Sequence, residues 1–434
     1  MKSDNVLDAM TLARQNQDWV VAIRRHIHEN PELSGKEDNT IRYISDILKS
    51  LGVAHFEIEN GGILATIKGP AEKDKGRNVF LRADCDALPV QEQENLNGTR
   101  KVWSKVPGVM HACGHDAHTA MLLGAAKVLQ EKCEELEGTV YLCFERGEES
   151  TNAKYILAYM ERHEYRVDSC FAIHVYPDVR TGVIAVNDTA ALGGIGVFFI
   201  DIEGKGGHGS RPDMADSPID CFTAIYQRLQ TLRLTKIRPF SPLSYSVGTL
   251  QAGTRPNIIP QSLSFTGTVR YYDDDSVQTF YSELRHIVET VCAAYHCTPH
   301  LKNLSTYLPA TINDPSYASF ARDTFAQNIG AENVVQVTPE TGSDSFGQYL
   351  KQWPGCYAFL GVKNPQKGSG ASLHNSQFDL DEDALALGTA CHVMYVQSFL
   401  SSGFSGGHTE KIKFSQLLKA AGRLEELNEL YAKE

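Results

Sequence analysis

A cluster of potential metal ligands lies in residues 110–118, where one thiol and three imidazoles fall within nine positions. Thiolate and neutral imidazole are the protein ligands that zinc-like ions prefer. Cys113 and His115 are two positions apart, so both can point at one ion only where the backbone is extended or turning. Taken alone, the cluster also suits a buried structural cysteine beside polar residues that cap a helix.

Further donors stand at the ends of apolar runs elsewhere in the chain. Glu148 and Glu149 follow a β-rich run, and His174 lies in a second short apolar run. His374 follows a glycine-containing loop much later in the chain. Because loops at strand ends carry chemistry in α/β folds, these residues are candidates for the rest of a metal shell. Each of them alone is also typical of a solvated or hydrogen-bonded residue.

Together these donors are enough for two divalent ions with open coordination positions, which is typical of a hydrolytic site. The candidate ligands are Cys113, His115, Glu149, His174 and His374. Glu148 is then free to take a proton from a metal-activated water and to give one to a leaving amine. This is the chemistry of amide hydrolysis. The donor set suits zinc, manganese or cobalt, so the pattern leaves the metal open.

An ordered set of motifs accompanies these donors. The motifs are Arg25-His-Ile-His-Glu-Asn-Pro-Glu-Leu-Ser, Arg82-Ala-Asp-Cys-Asp-Ala-Leu-Pro, His111-Ala-Cys-Gly-His-Asp, Glu148-Glu149, His174, Gly204-Lys-Gly-Gly-His-Gly-Ser-Arg-Pro, Gly267-Thr-Val-Arg and Leu373-His-Asn. In this order they resemble the binuclear metal-dependent aminoacylases and carboxypeptidases. That family includes hippurate hydrolase, auxin-amino acid conjugate hydrolases and bacterial N-acyl amino acid amidohydrolases. The resemblance covers residues 15–400.

The resemblance also implies residue roles. Cys113 would bridge the two ions, with the other four candidate ligands binding one ion each, and Glu148 would be the general base and acid. Asp86 would stand behind the ligands and orient an imidazole. The residues implied as contacts to the scissile carbonyl and the substrate carboxylate are His208, Asn257 and Arg270. They belong to a smaller lid domain, and His208 would act across a dimer.

Two segments depart from the usual pattern of this family. Residues 145–147 read Glu-Arg-Gly where relatives commonly have Gln-Pro-Ala. Residues 342–346 read Gly-Ser-Asp-Ser-Phe in place of Gly-Ser-Glu-Asp-Phe. Both changes leave the candidate ligands intact, so we expect them to affect substrate choice rather than metal binding.

The pattern of elements predicts an α/β fold, with a discontinuous catalytic domain whose mixed sheet is flanked by helices and an inserted smaller α+β lid domain. Long β-rich runs at 196–203, 244–251 and 262–272 alternate there with helices at 217–233 and 277–294. The predicted segments are 1–189 (catalytic, first part), 190–305 (lid and dimerisation), 306–400 (catalytic, second part) and 401–434 (C-terminal helical tail). Helical spacing also predicts one helix over 5–29 and another over 39–51.

Composition limits the partners and the compartment. The formal net charge of −12 and the lack of a basic stripe argue against nucleic acid or an anionic membrane as partner. Residues 1–17 lack the apolar core of a signal peptide or membrane span. Ten cysteines without a framework of close pairs predict free thiols in the cytoplasm.

The function predicted is a metal-dependent amidohydrolase that cleaves the amide bond of N-acyl amino acids. A dipeptidase or carboxypeptidase acting on small peptides is the alternative, and a catalytically inactive ligand-binding relative is a minor one. The resemblance favours a homodimer or higher homo-oligomer. Helical spacing places His26 and His28 on a helix surface, and His111 and His118 have polar roles at a helix start.

Overall fold

An eight-stranded mixed sheet forms the centre of the larger domain in the computed structural model, which describes residues 8–407 and 411–431. The strands of the protein are β1 (Ala54–Ile58), β2 (Gly62–Lys68), β3 (Asn78–Asp84), β4 (Thr139–Glu145), β5 (Ser169–Arg180), β6 (Ile184–Ala185), β7 (Ala190–Leu192), β8 (Gly194–Glu203), β9 (Gly207–His208), β10 (Leu243–Ala252), β11 (Ile258–Ile259), β12 (Ser262–Tyr271), β13 (Thr298–Leu308), β14 (Thr311–Ile312), β15 (Val334–Val335) and β16 (Gly355–Lys363). The helices are α1 (Ala9–Gln15), α2 (Gln17–Glu29), α3 (Asp38–Ser50), α4 (His115–Glu131), α5 (Ala153–Arg162), α6 (Pro218–Lys236), α7 (Asp274–Ala294), α8 (Pro315–Ile329), α9 (Phe346–Gln352), α10 (Ala384–Ser401), α11 (Phe414–Ala420) and α12 (Leu424–Tyr431).

The central strands of the large sheet run parallel and end at one edge. The strand order is β1-β2-β4-β3-β5-β16-β6-β15. Strand β3 pairs in parallel with β4 and β5, and β5 pairs in parallel with β16, whereas β1 and β2 are antiparallel. The carboxyl ends of four neighbouring strands therefore meet at the edge where α/β folds place their chemistry.

Apolar side chains alternate along the central strands because successive residues of a strand face opposite sides of the sheet. On β3, Val79 and Leu81 belong to one core and Phe80 to the other. Helices α2, α4, α8 and α10 cover the first face, and α5, α9, α11 and α12 cover the second. The predicted mixed sheet with helices on both faces is confirmed.

The inserted domain has its own sheet and its own core. Four antiparallel strands lie in the order β10-β12-β8-β13, and α6 and α7 contact this sheet. Phe198, Phe265 and Phe280 form the centre of a separate apolar cluster. The predicted α+β insertion is confirmed, while its boundaries at 190 and 305 stay predictions.

Two local expectations were wrong, and the C-terminal segment has more than one helix. The single helix over 5–29 is two helices that break at Asn16, and residues 5–7 lie outside the described range. The tail forms two short helices, because Gly422 between them has a φ of 73°. Residues 408–410 and 432–434 of the tail lie outside the described range. His28 is buried rather than on the surface. Its Nδ1 lies 2.8 Å from Asp116 and its Nε2 lies 2.8 Å from Glu92.

Among the residues described, α10 is the one helix long and apolar enough to cross a membrane. Of its apolar window, 83% is buried inside the protein, as in a core helix of a globular domain.

Candidate metal centre

Parallel strand pairing brings the acidic candidates to one edge of the large sheet. Asp84 ends β3, and Asp86 follows it by two residues. Glu148 and Glu149 follow the end of β4, in a single helical turn that begins after Gly147. His174 lies on β5, beside Phe359 of β16. The sequence positions differ widely, but the strand ends lie together.

A glycine elbow separates Cys113 from His115. Gly114 has a φ of 84° and caps α4, so the thiol precedes the helix and the imidazole opens its first turn. A Cβ at position 114 would lie 2.4 Å from Cγ2 of Val175. Glycine is therefore required both by the backbone conformation and by the close approach of β5.

His374 reaches the same place from the C-terminal part of the chain. Its backbone N–H donates to the carbonyl of Ala112 at 2.8 Å, which fixes the loop beside the thiol. The residue has a φ of 61°, uncommon for a non-glycine residue. Such outliers concentrate at functional sites, where the surrounding structure holds them in place.

The candidate ligand atoms lie close together. Cys113 Sγ lies 3.5 Å from Nε2 of His174 and 3.3 Å from Nε2 of His374. His374 Nε2 is in turn 3.2 Å from Oε1 of Glu149. Four groups have all their donor atoms within 4.8 Å of one another: Cys113 with His115 and His174, Cys113 with Glu149 and His374, His115 with Glu148 and Glu149, and Asp84 with His115 and His118. Cys113 belongs to two of these groups and His115 to three, so these two residues lie where the groups meet.

Asp86 orients the imidazole of His115. Its Oδ1 lies 2.9 Å from Nδ1 of His115, so the ring donates there and turns Nε2 toward the cluster. Nε2 is buried and has no hydrogen-bond partner in the described part of the chain. A buried nitrogen of this kind fits a metal ion, and the carboxylate behind it is the usual second partner of a ligating histidine.

Three groups of the metal cluster have raised pKa values, so they bind protons more tightly than usual. Burial lowers the pKa of His115, but Asp84 and Cys113 outweigh it and raise that pKa well above its ordinary value. Hydrogen bonds to Cys113 and Glu149 raise the pKa of His374 to about 10. Burial, together with Asp344, raises the pKa of Glu148 well above its ordinary value. The cluster is thus strongly anionic, and metal binding would displace its protons.

His118 and Asp84 also lie at the centre, although sequence reasoning gave neither a place there. His118 Nδ1 is 2.6 Å from Oδ1 of Asp84, and its Nε2 accepts from the backbone N–H of Val175 at 2.9 Å. Both ring nitrogens are therefore occupied, which favours a polar structural role over ligation. The spacing of three residues from His115 on α4 was the available signal, because such residues share a helix face.

A cavity of about 560 Å³ opens onto the metal cluster. Cys113, Glu148 and His174 line one part, and Arg270 of β12 lines another. Nη1 of Arg270 lies 3.4 Å from Ser343 Oγ, and no carboxylate of a described residue forms an ion pair with the guanidinium. Burial alone lowers the pKa of Arg270. The cavity therefore combines a metal cluster with a cation that lacks a counter-ion.

The other two predicted substrate contacts lie apart from this cavity. His208 pairs with Ile258 in a two-stranded ribbon of the inserted domain, and Asn257 accepts a hydrogen bond from Gly209 at 2.9 Å. Both residues are exposed, and neither lines the cavity. The structure thus brings Asp86, Glu148, Arg270 and the five candidate ligands together, and leaves His208 and Asn257 on a separate surface.

Known proteins are similar to this chain in sequence and in fold. The family model described as peptidase family M20/M25/M40 matches residues 80–398. Thermostable carboxypeptidase 1 of Saccharolobus solfataricus is 36% identical, over 89% of this chain and 96% of that protein. The IAA-amino acid hydrolase ILR1-like 4 of Arabidopsis thaliana is 33% identical, over 90% of this chain and 88% of that protein.

A solved structure agrees with these matches. A dinuclear metal-binding peptidase of the M20 family from Bacillus subtilis superposes with a TM-score of 0.76 at 29% identity, covering 89% of this chain and 99% of that one. The match extends over both domains described above. The chain belongs to peptidase family M20/M25/M40 and is a metal-dependent amidohydrolase.

Proposed function

We propose that this enzyme releases an amino acid from an N-acyl amino acid. The observation that carries the proposal is the cavity that joins the metal cluster to Arg270. An N-acyl amino acid has a scissile amide and a free α-carboxylate, and no α-ammonium group. A guanidinium without a counter-ion can bind that carboxylate through two hydrogen bonds, which would fix the amide at the metal cluster.

Different residues of the chain would then bind the metal ions and transfer the proton. Cys113 with His115 and His174, and Cys113 with Glu149 and His374, would hold two divalent ions. When bound, such ions polarise a carbonyl and lower the pKa of water. Glu148 would take a proton and later give it to the leaving nitrogen. The backbone N–H of Ser345 donates to Glu148 Oε1 at 2.8 Å, which leaves Oε2 for the proton transfers.

The candidate ligands also bear on which metal is bound and on the cellular compartment of the enzyme. The set of one thiolate, imidazoles and a carboxylate suits zinc, manganese or cobalt, and supply would decide among them. All ten cysteines are unpaired, and Cys113 must stay a thiolate to bind metal. We therefore place the enzyme in the reducing cytoplasm.

We also propose a homodimer in which His208 and Asn257 serve the site of the other copy. Both residues lie on the inserted domain, outside the cavity of their own chain. The edge strand β10 of that domain is largely exposed, and Leu250 on it is 52% exposed. An unpaired edge with apolar side chains is suited to pairing with a second copy.

The first experiment is a substrate panel with purified protein that is stripped by a chelator and reloaded with zinc, manganese or cobalt. Metal-restored release of amino acids from N-acetyl or N-aroyl amino acids is expected. Glu148→Gln should lower kcat by roughly 100- to 10,000-fold, because it removes the proton-transfer group. Turnover of dipeptides alone would contradict the N-acyl assignment, and full activity of Glu148→Gln would contradict the role of that residue.

Arg270→Ala tests the carboxylate contact. Loss of a charge-assisted hydrogen-bond pair should raise KM by roughly 10- to 100-fold. The matched control is Arg285→Ala, which removes an arginine of the same domain from the surface of α7. Equal effects of both substitutions would contradict the proposed contact.

A dipeptidase or carboxypeptidase reading is the second candidate, and one feature of the cavity favours it. Glu340 and Asp178 also line the cavity and offer carboxylates to an α-ammonium group. Glu340→Gln should then lower kcat/KM for dipeptides and leave N-acyl amino acids unaffected. Similar effects on both substrate classes would remove this reason for the second candidate.

Complementation tests the dimer. Mixed dimers of a His208→Ala chain and a Glu148→Gln chain would contain one intact site out of two. Refolding the two together should restore about a quarter of the wild-type activity, since about half of the dimers are mixed. No recovery in a mixture shown to form dimers would contradict a shared site.

A further inference from the structure

A buried ionic network centred on Arg82 lies behind Glu148. The guanidinium is 2% exposed and donates to Glu145 Oε2 at 2.8 Å and to Asp84 Oδ2 at 2.7 Å. It also donates to Ser345 Oγ at 2.6 Å and lies 3.3 Å from Asp344. One cation thus ties the ends of β3 and β4 to the segment that begins α9.

Ser345 connects this network to the general base. Its hydroxyl donates to Glu145 Oε1 at 2.7 Å while it accepts from Arg82. Its backbone N–H donates to Glu148 Oε1 at 2.8 Å. Tyr349 adds a hydrogen bond to Glu145 Oε2 at 3.1 Å. The hydroxyl and the N–H of one residue therefore link the Arg82–Glu145 pair to the carboxylate of Glu148.

Glu145 and Ser345, the two residues that join Arg82 to Glu148, act on the reaction only through Glu148. Neither Glu145 nor Ser345 lines the cavity, so neither can contact the substrate. Neither belongs to a group of candidate metal ligands in the part of the chain that is described. Both are fully buried, and Glu145 is one of three carboxylates around Arg82, so neutralising it changes the charge balance of an interior ionic network. Their positions are therefore strongly constrained, and Glu148 depends on them.

We propose that Ser345 and Glu145 are positioning residues for Glu148, and that the negative charge that Glu145 places beside Arg82 can be carried at position 345 instead. Ser345 Oγ is within hydrogen-bond distance of both Arg82 and Glu145, so a carboxylate at 345 would meet the guanidinium directly. An amide at 145 would still be a hydrogen-bond partner of both groups. Moving the charge would therefore leave the number of carboxylates around Arg82 unchanged and keep Glu148 in place.

This inference rests on the proposed role of Glu148, and a double-mutant cycle tests it. The variants are Glu145→Gln, Ser345→Asp, their combination and Glu148→Gln, each loaded with the metal that restores wild-type activity. For each one, kcat, KM, bound metal per chain and the thermal unfolding midpoint are measured. Each single variant of the network should lower kcat about tenfold or more, because small displacements of a reacting group are costly.

The double variant should recover kcat to within about threefold of wild type, since coupled positions are not additive. KM should change by less than about twofold throughout, and the metal content should stay constant. Ser169→Ala is the matched control, because it removes a buried hydroxyl that contacts Tyr395 at 2.6 Å, remote from Glu148. It should lower the unfolding midpoint without lowering kcat.

Three results would overturn the proposal. One is a double variant whose loss in kcat is the product of the two single losses. Another is a pair of single variants that lose thermal stability like Ser169→Ala but keep kcat in the folded, metal-loaded state. The third is a fully active Glu148→Gln variant. That result would show that Glu148 is not the general base, and it would refute the proposed function as well. If Ser345→Asp does not fold, Ser345→Ala replaces it and should lower kcat below that of wild type, because the hydroxyl that joins Glu145 to Arg82 is lost although the backbone N–H to Glu148 remains. An unchanged kcat in this variant would also contradict the proposal.

Discussion

Substitution of Gly114 by alanine should destabilise the protein and weaken its metal site. The residue has a φ of 84°, and the added Cβ would lie 2.4 Å from Cγ2 of Val175. A left-handed conformation costs a non-glycine residue roughly 1–2 kcal/mol, and overpacking of a core costs roughly 1–3 kcal/mol. The expected loss in the free energy of unfolding is therefore about 2–5 kcal/mol.

Gly108 provides a control within the same segment. Its φ is 76°, but among the described residues other than its two chain neighbours no atom lies within 4 Å of where its Cβ would be. Gly108→Ala should then lose only the backbone part, about 1–2 kcal/mol. Denaturant unfolding of the metal-free proteins measures both losses. Titration with metal should show weaker binding only for Gly114→Ala, because only there do the flanking Cys113 and His115 move.

Equal destabilisation by the two substitutions would show that the contact with Val175 does not matter. Unchanged metal affinity in Gly114→Ala would show that the elbow does not set the positions of the thiol and the imidazole. Either result would refute the reasoning given for Gly114.

Three further predictions concern metal and protons. Asp86→Asn should lower metal affinity by roughly 10- to 100-fold with folding intact, because Nδ1 of His115 loses its carboxylate; unchanged affinity by metal titration would contradict this. Adding metal to the stripped protein should stabilise it by roughly 2.7 kcal/mol at about 100 times the dissociation constant, and an unchanged thermal midpoint would count against binding to the folded state. Burial and Arg24 lower the pKa of His28, but hydrogen bonds to Asp116 and Glu92 outweigh them and raise it. The resulting stability should be fully present below about pH 6.5 and lost as pH rises through the raised pKa, so the stability difference between wild type and His28→Gln should shrink with rising pH. A constant difference in denaturant unfolding would contradict that assignment.

The order of the domains was predictable because local patterns report it. Alternation of apolar residues along β3 and the long β-rich runs of the insertion both follow from the two-residue period of a strand. Glycine at position 114 likewise marks a turn between two candidate ligands. The break at Asn16 was not predictable, since apolar spacing continues on both sides of it and tertiary packing decides where such a helix is interrupted.

The burial of His28 was missed for a similar reason. Helical spacing placed it on the polar side of α2, whereas Asp116 and Glu92 lie against that side and satisfy both ring nitrogens. A buried imidazole with two carboxylate partners is stable, but neither partner is near it in the sequence. Only the packed structure shows that the polar side of α2 is an interior surface.

The sequence by itself determined the inventory of the site: which residue types are present, in what order, and at the ends of which apolar runs. Together with the ordered motifs and the family resemblance that they carry, this was enough to predict amide hydrolysis. The tertiary structure decided which atoms meet. Cys113 and His374 are 261 positions apart and 3.3 Å from thiol to imidazole, and Glu145 and Ser345 are 200 positions apart and 2.7 Å from carboxylate to hydroxyl. Such distances depend on strand order and loop closure, which no local pattern encodes.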